Sequence, residues 1–502
     1  MAPTERHITV NRQRRAGVLL HPTSLPGPLG NGDFGHQAYR FIEFLHTHGF
    51  KVWQMLPLGP THDDRSPYQC LSSHAGNPLL ISLDWLHDKG WLDAGQIATP
   101  KTDVAYRAQC LKFACHFFYE HFFYGQNNTE WQARLAGFMQ ENVAWLEDYA
   151  LFVSLKNKFE KRPWYEWPDG LRDRNADSLD EAGQELKAEI RQVIFEQFLF
   201  FSQWEEVRAY ARRHDVELFG DLPIFVARDS ADVWAERENF LIDKNGDMKF
   251  IAGVPPDAFS ETGQRWGNPL YDWDYLKASK FDWWKQRLKS QLKLFDMVRI
   301  DHFRGLQACW EIPQEDETAI NGQWVEVPGR EMLDELFDTM HRLPLVAEDL
   351  GVITDQVIEL KESFNLPGMK VLQFAFDGSN NNPHLPHCHH VEDIIYTGTH
   401  DNDTTLGWLT NASNYNEAFF NDYVGIPHQD IEHKYWSVIR LAMSSVSFLS
   451  VLPMQDLLQL NSSSRMNMPG TTEGNWSWRF KWSDVSDSSM KKISHFMALY
   501  QR

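Results

Sequence analysis

The sequence predicts an α/β fold: a (β/α)8 TIM barrel with large, mostly helical insertions at the C-terminal face of the barrel. Three observations predict it. Eight short apolar runs, each bounded by turn residues, recur along the chain, as expected of strands buried on both faces of a parallel sheet. Helical patterns separate several of these runs, which implies right-handed βαβ units. The chain has 502 residues, and a barrel needs only about 250, so the remainder must be inserted.

The runs, in order, are Val18–Leu20, Val52–Leu56, Glu217–Gly220, Met297–Ile300, Leu345–Ala347, Val371–Phe374, Ile394–Tyr396 and Phe448–Leu452. After the first, Asp33 is suited to cap a helix whose apolar stripe is Ala38, Phe41, Ile42 and Leu45, and Gly49 to end it. Residues 331–342, 354–364 and 431–445 read as further helices. Residues 378–393, rich in Asn, Pro and His, show no helical pattern between the sixth and seventh runs. The barrel therefore takes residues 1–60 and 215–502. Residues 61–214 form a helical, aromatic insertion between the second and third strands. Residues 227–295 form another between the third and fourth, with a lid loop at 252–268.

Composition narrows the function. With 48 Lys and Arg against 69 Asp and Glu, the net charge is −21. Nucleic acid and anionic lipid both call for a basic face, so neither is expected as a partner. No run approaches the roughly 18 apolar residues of a membrane span, and the first fifteen residues hold no apolar signal segment. The five cysteines are scattered and odd in number, the usage of a reduced, cytoplasmic protein. Twenty Trp suit a core and also flat apolar ligands such as sugars.

The chemistry lies at the ends of the runs. Asp221, Asp301, Glu348 and Asp377 close the third to sixth, and Asp401 follows the seventh. In a barrel these ends converge on one mouth, where active sites form. Arg299 stands two residues before Asp301, so both side chains share a strand face. Converging carboxylates in an aromatic cleft suit glycosidic bond chemistry, with one attacking, one protonating and a third stabilising. They also suit a divalent metal, but the neighbouring Arg299 favours sugar. His384, His387, His389 and His390 crowd with Cys388 between two prolines, at no tetrahedral zinc spacing. The Asp243–Asp247 segment reads as a turn on Asn245-Gly246, its glycine misplaced for a calcium loop.

Region by region the chain resembles the amylomaltase, or 4-α-glucanotransferase, family. The shared segments include GVLLHPTSLPGPLGNGDFG at 17–35, SPYQ at 66–69, GDLPIFVA at 220–227, AGVPPDAFSETGQRWGNPLYDW at 252–273 and VRIDHFRG at 298–305. They continue with VAEDLG at 346–351, YTGTHDNDTTLGW at 396–408 and MNMPGTTEGNW at 466–476. The resemblance implies Asp301 as nucleophile, Glu348 as general acid/base and Asp401 as transition-state stabiliser. It places Arg299, Asp221 and His400 around the glucose on the non-reducing side of the cleaved bond, and Tyr68, Trp266, Asp377 and Asn467 against or near sugar. It implies α-1,4-glucans and maltooligosaccharides as donor and acceptor, no metal and no organic cofactor. His74 and Cys70 depart from the family pattern, which puts local packing in question. A retaining double displacement calls for a raised pKa on Glu348 and a low one on Asp301. The residues alone leave open a retaining α-1,4-glucan hydrolase and, with all three carboxylates present to argue against it, a non-catalytic glucan-binding protein.

Overall fold

The computed structural model describes residues 10–27, 30–93, 95, 104–124, 129–256, 260–340, 342–425 and 430–502. Twelve strands, numbered in chain order, make two sheets among these residues. The parallel sheet holds β1 (Arg15–Leu19), β2 (Val52–Gln54), β3 (Glu217–Leu222), β6 (Met297–Ile300), β9 (Leu345–Ala347), β10 (Met369–Val371), β11 (Ile394–Tyr396) and β12 (Leu449–Pro453). Its order is β10-β11-β12-β1-β2-β3-β6-β9. The two outer strands approach each other: the Ala347 N–H donates to the Pro367 carbonyl at 2.9 Å and the Met369 N–H to Asp349 Oδ1 at 2.7 Å. The sheet thus curls into a nearly closed eight-stranded barrel, and seven of the eight apolar runs supply its strands; the sixth, Val371–Phe374, gives only Val371 to β10 and continues as a 3₁₀ turn at Leu372–Phe374.

The runs are continuously apolar because both strand faces are buried. Phe219, Met297, Val346 and Ile394 pack into one cluster, the barrel interior. Their sequence neighbours Leu218, Val298, Leu345 and Ile395 belong to the larger core shared with the helices. This alternation sets the face of every later residue. Asp221 follows Phe219 inward, and Arg299 follows Met297 inward. Gly220 points outward, where an added Cβ would meet the Phe295 ring at 2.1 Å. Gly220→Ala is expected to lower stability by about 1–3 kcal/mol through overpacking, read as a lower urea midpoint at unchanged slope.

Between β2 and β3 lies the helical insertion, whose helices include Val104–Phe118, Thr129–Glu141, Leu146–Lys158 and Lys187–Arg213. Helix His36–Thr47 buries Ala38, Phe41, Ile42 and Leu45 as expected, but its N-cap is Gly35. Asp33 instead accepts from the Gly35 N–H at 3.0 Å and faces Arg107 at 3.3 Å, bracing the turn before the helix. The helices at Gly329–Thr339, Asp355–Ser363 and Ile431–Ser444 fall where periodicity puts them. Residues 378–393 hold only a short 3₁₀ turn at Pro386–Cys388.

The second sheet is antiparallel, in the order β5-β4-β7-β8: β4 (Phe250–Val254), β5 (Gln264–Pro269), β7 (Ala308–Pro313) and β8 (Gln323–Glu326). Sequence periodicity did not reveal it. β5 and β8 are polar and mostly unburied, and β4 and β7 are short with glycine or proline among their residues, so no strand shows a clear alternation. The lid-loop stretch 252–268 is largely the β4–β5 hairpin, and its residues 257–259 lie outside the described residues. The Asn245-Gly246 turn forms as read: Ile242 bridges Met248 and Asp243 Oδ1 accepts from the Asn245 and Asp247 N–H groups, both at 2.8 Å. Three of the four histidines at 384–390 have separate ring partners. His384 Nδ1 accepts from the Val371 N–H, His389 bonds Ser445 and the His384 carbonyl, and His387 bonds Tyr423.

Candidate active site

The barrel mouth gathers side chains from four strand ends. On β3 and β6, Asp221 and Arg299 are register partners. The Arg299 guanidinium reaches both Asp221 oxygens through Nη1, each at 2.7 Å, and Asp301 Oδ1 through Nη2 at 2.9 Å. The shared strand face expected for Arg299 and Asp301 is therefore present, and so is a buried ion pair with Asp221, whose side chain is 0% exposed. Across the next seam Ile300 pairs with Ala347, so Asp301 and Glu348 leave adjacent strand ends side by side.

Glu348 is clamped from behind. Its Oε2 accepts from the His302 N–H at 2.7 Å and its Oε1 from the Leu350 N–H at 3.0 Å. His302 can point its amide there because it sits in the left-handed region, at φ 53°, a conformation that costs a non-glycine residue energy and is found at functional sites. Its ring stands edge-on to Trp266 at 4.9 Å. Trp266 comes from β5, so the second sheet reaches the mouth through this contact.

On the opposite side the loop after β11 presents His400 and Asp401. Tyr68 donates its hydroxyl to Asp221 Oδ2 at 2.6 Å and stacks on His400 with ring centroids 5.2 Å apart. His400 Nε2 lies 3.3 Å from Asp401 Oδ1, and Asn467 Nδ2 donates to the same oxygen at 2.7 Å. Trp476, not singled out by sequence reasoning, has its ring centroid 6.0 Å from both Tyr68 and His400. It closes the 466–476 loop, its N–H donating to the Met466 carbonyl, and it too has a positive φ. Its sequence signal was present in the MNMPGTTEGNW segment. Asp377 is exposed and accepts from the Ser379 N–H at 2.8 Å; it does not join this network among the described residues. Nine of the ten residues named from sequence therefore converge.

The electrostatics differ from expectation in one respect. Glu348 is raised, chiefly by burial, with Arg299 and the two amides opposing. Asp301 is not low: it is raised to about 8, chiefly by burial, with Asp221, Glu348 and Asp401 adding to the rise and Arg299 opposing it. Sequence reasoning gave Asp301 a guanidinium of its own. In the structure that single cation is held first by Asp221, and four carboxyls surround it. Burial thus favours the protonated form of both Asp301 and Glu348 in the free site. Burial keeps His400 neutral and the Tyr68 hydroxyl protonated, so both act as uncharged hydrogen-bonding groups. His74 packs without strain, stacked on Trp145 and bonded to Ser290 at 2.8 Å.

Because Asn467 holds Asp401 through one charge-assisted bond, Asn467→Ala should cost about 1–2 kcal/mol. That is roughly a tenfold fall in kcat/KM, with the folding transition unchanged.

Comparison with known proteins is consistent with this geometry. Residues 20–485 match the family model described as 4-alpha-glucanotransferase. A 4-alpha-glucanotransferase of Synechocystis sp. is 46% identical over 98% of this chain and 98% of its own. One from Thermus thermophilus is 47% identical over 93% of this chain and 94% of its own. The amylomaltase of Streptococcus agalactiae, solved in complex with acarbose, superposes with a TM-score of 0.91 at 36% identity, covering 98% of this chain and 100% of that one. The barrel, the full-length matches and the carboxylates converging at its mouth lead to one conclusion: the chain belongs to the 4-alpha-glucanotransferase family, enzymes that move α-1,4-linked glucan from one sugar chain to another.

Proposed function

We propose that transfer proceeds by retaining double displacement with Asp301 as nucleophile, Glu348 as acid/base and Asp401 as stabiliser of the distorted sugar. The observation that carries this reading is the pairing of Ile300 with Ala347, which sets Asp301 and Glu348 next to each other just past the ends of adjacent strands. Adjacent strands lie about 4.8 Å apart, which suits the roughly 5–5.5 Å of retaining carboxyl pairs rather than the 6.5–9.5 Å of inverting ones. Asp301 attacks the anomeric carbon while Glu348 gives its proton to the departing 4-oxygen. The β-glucosyl-enzyme forms as the α-1,4 bond breaks. Glu348, now a carboxylate, takes the proton of an incoming 4-hydroxyl, which attacks the same carbon and displaces Asp301.

The neutral Tyr68 and His400, the Arg299–Asp221 pair and Asn467 would hold the donor glucose. We infer that the β4–β5 hairpin serves as a lid and that Trp266 shields the intermediate from water, favouring a sugar acceptor. Maltooligosaccharides serve as both donor and acceptor. No described helix is long and apolar enough to cross a membrane, and five free cysteines fit a reducing cytoplasm. The test is maltotriose alone, with products resolved by length and reducing ends counted. Longer chains plus glucose at constant reducing ends are expected. Rising reducing ends with only shorter products would mean hydrolysis.

A further inference from the structure

A sixth acid stands at the barrel mouth and faces away from the cleft. Asp456 follows β12 and is 1% exposed. Among the described residues no cation pairs with it. It is satisfied instead by two threonines. Its Oδ2 accepts from Thr397 Oγ1 at 2.6 Å and Thr405 Oγ1 at 2.7 Å, and its Oδ1 from the Thr405 N–H at 2.7 Å. Both threonines are fully buried. A buried carboxylate without a counter-ion is costly, and three donors are what make it tolerable.

The positions of those donors give the acid its meaning. Thr397 is the first residue after β11, and Thr405 opens the helix Thr405–Thr410. The loop between them carries His400 and Asp401. Asp456 therefore ties both feet of that loop to the end of the neighbouring strand β12, which pairs with β11. The loop is also braced within: Asn402 Oδ1 accepts from the Thr399 N–H and hydroxyl, and the Thr399 hydroxyl accepts from the Asp401 N–H. A shift at either foot is thus passed to Asp401 as a rigid displacement.

We propose that Asp456 is a positioning residue of the transfer reaction, acting through the 397–405 loop on Asp401. The proposal rests on Asp401 acting at the donor glucose. It is distinct from any direct charge effect, because Asp456 touches the loop's ends and not the sugar-facing side chains. A displacement of about 1 Å at a reacting centre costs on the order of 10²-fold. Asp456→Asn sets an amide donor either against both threonine hydroxyls or against the Thr405 N–H, so the expected loss in kcat is about 10–100-fold, with KM for the donor little changed.

The experiment is a double-mutant cycle on the full chain, with α-maltosyl fluoride as donor so that slow variants remain measurable. Asp456→Asn should slow the wild-type enzyme but add nothing in an Asp401→Ala background. An equal loss in both backgrounds, or a fully active Asp456→Asn, would overturn the proposal. The Asp401→Ala single variant reports separately on the underlying reading: if it keeps full activity, Asp401 has no role at the sugar. Should Asp456→Asn not fold, Thr397→Val and Thr405→Val cut the same link from the other side and take its place in the cycle.

Discussion

Asp301→Ala is expected to abolish transfer, with kcat down by about 10⁴–10⁶ while maltooligosaccharide still binds. The magnitude is that of removing a nucleophile whose attack no neighbour can replace. The geometry explains why none can. Asp221 is held bidentate by Arg299, Glu348 is pinned by two backbone amides, and Asp401 is tied to Asn467 and His400. Removing Asp301 also relieves the crowding of carboxyls, so the fold should be at least as stable as before, and thermal unfolding separates lost chemistry from lost structure. Added azide tests the direction of attack. With α-maltosyl fluoride, azide entering the space vacated by the Asp301 carboxylate yields the β-azide, the inverted product. An α-azide would place the nucleophile elsewhere.

The barrel was legible because most of its strands bury two faces and so appear as short apolar runs; at β10 the run extended past the strand into the 3₁₀ turn at Leu372–Phe374. The catalytic acids were legible for a related reason: a charge directly after such a run marks the mouth. That rule weakens with distance from the strand. Asp377 lies six residues past β10, and a 3₁₀ turn at Leu372–Phe374 intervenes, so strand register no longer aims it and the side chain faces solvent. His302 and Trp476 were missed because their contribution depends on left-handed backbone conformations, which leave no trace in composition or period. Asp456 was missed because its partners lie 51 and 59 residues away. The antiparallel sheet escaped because none of its four short strands, two apolar and two polar, carries a clear alternation. The pKa of Asp301 shows the same limit. Both Arg299 and the converging carboxylates could be read from sequence, but not the burial that, with Asp221, Glu348 and Asp401, outweighs the guanidinium.

Glu348→Gln separates the two halves of the reaction. With maltotriose, whose leaving group needs a proton, the rate should fall by about 10²–10⁴. With α-maltosyl fluoride the first step needs no acid, so the glycosyl-enzyme should form at nearly the normal rate. The second step still lacks a base, so the intermediate should accumulate on Asp301. Mass spectrometry of a peptide containing Asp301 would show one added maltosyl unit. The pH dependence follows from the roles of the two carboxyls. In the wild type, kcat/KM should fall at high pH as Glu348 loses its proton, and at low pH as a second proton neutralises Asp301. In the Gln variant the alkaline limb should vanish. The acid limb of the activated-donor profile should stay near its wild-type pH, because Asp301 there faces an uncharged partner in both enzymes. If the alkaline limb survived, the acid that titrates there would be some group other than Glu348. If the acid limb moved, it would not report Asp301 beside a protonated Glu348.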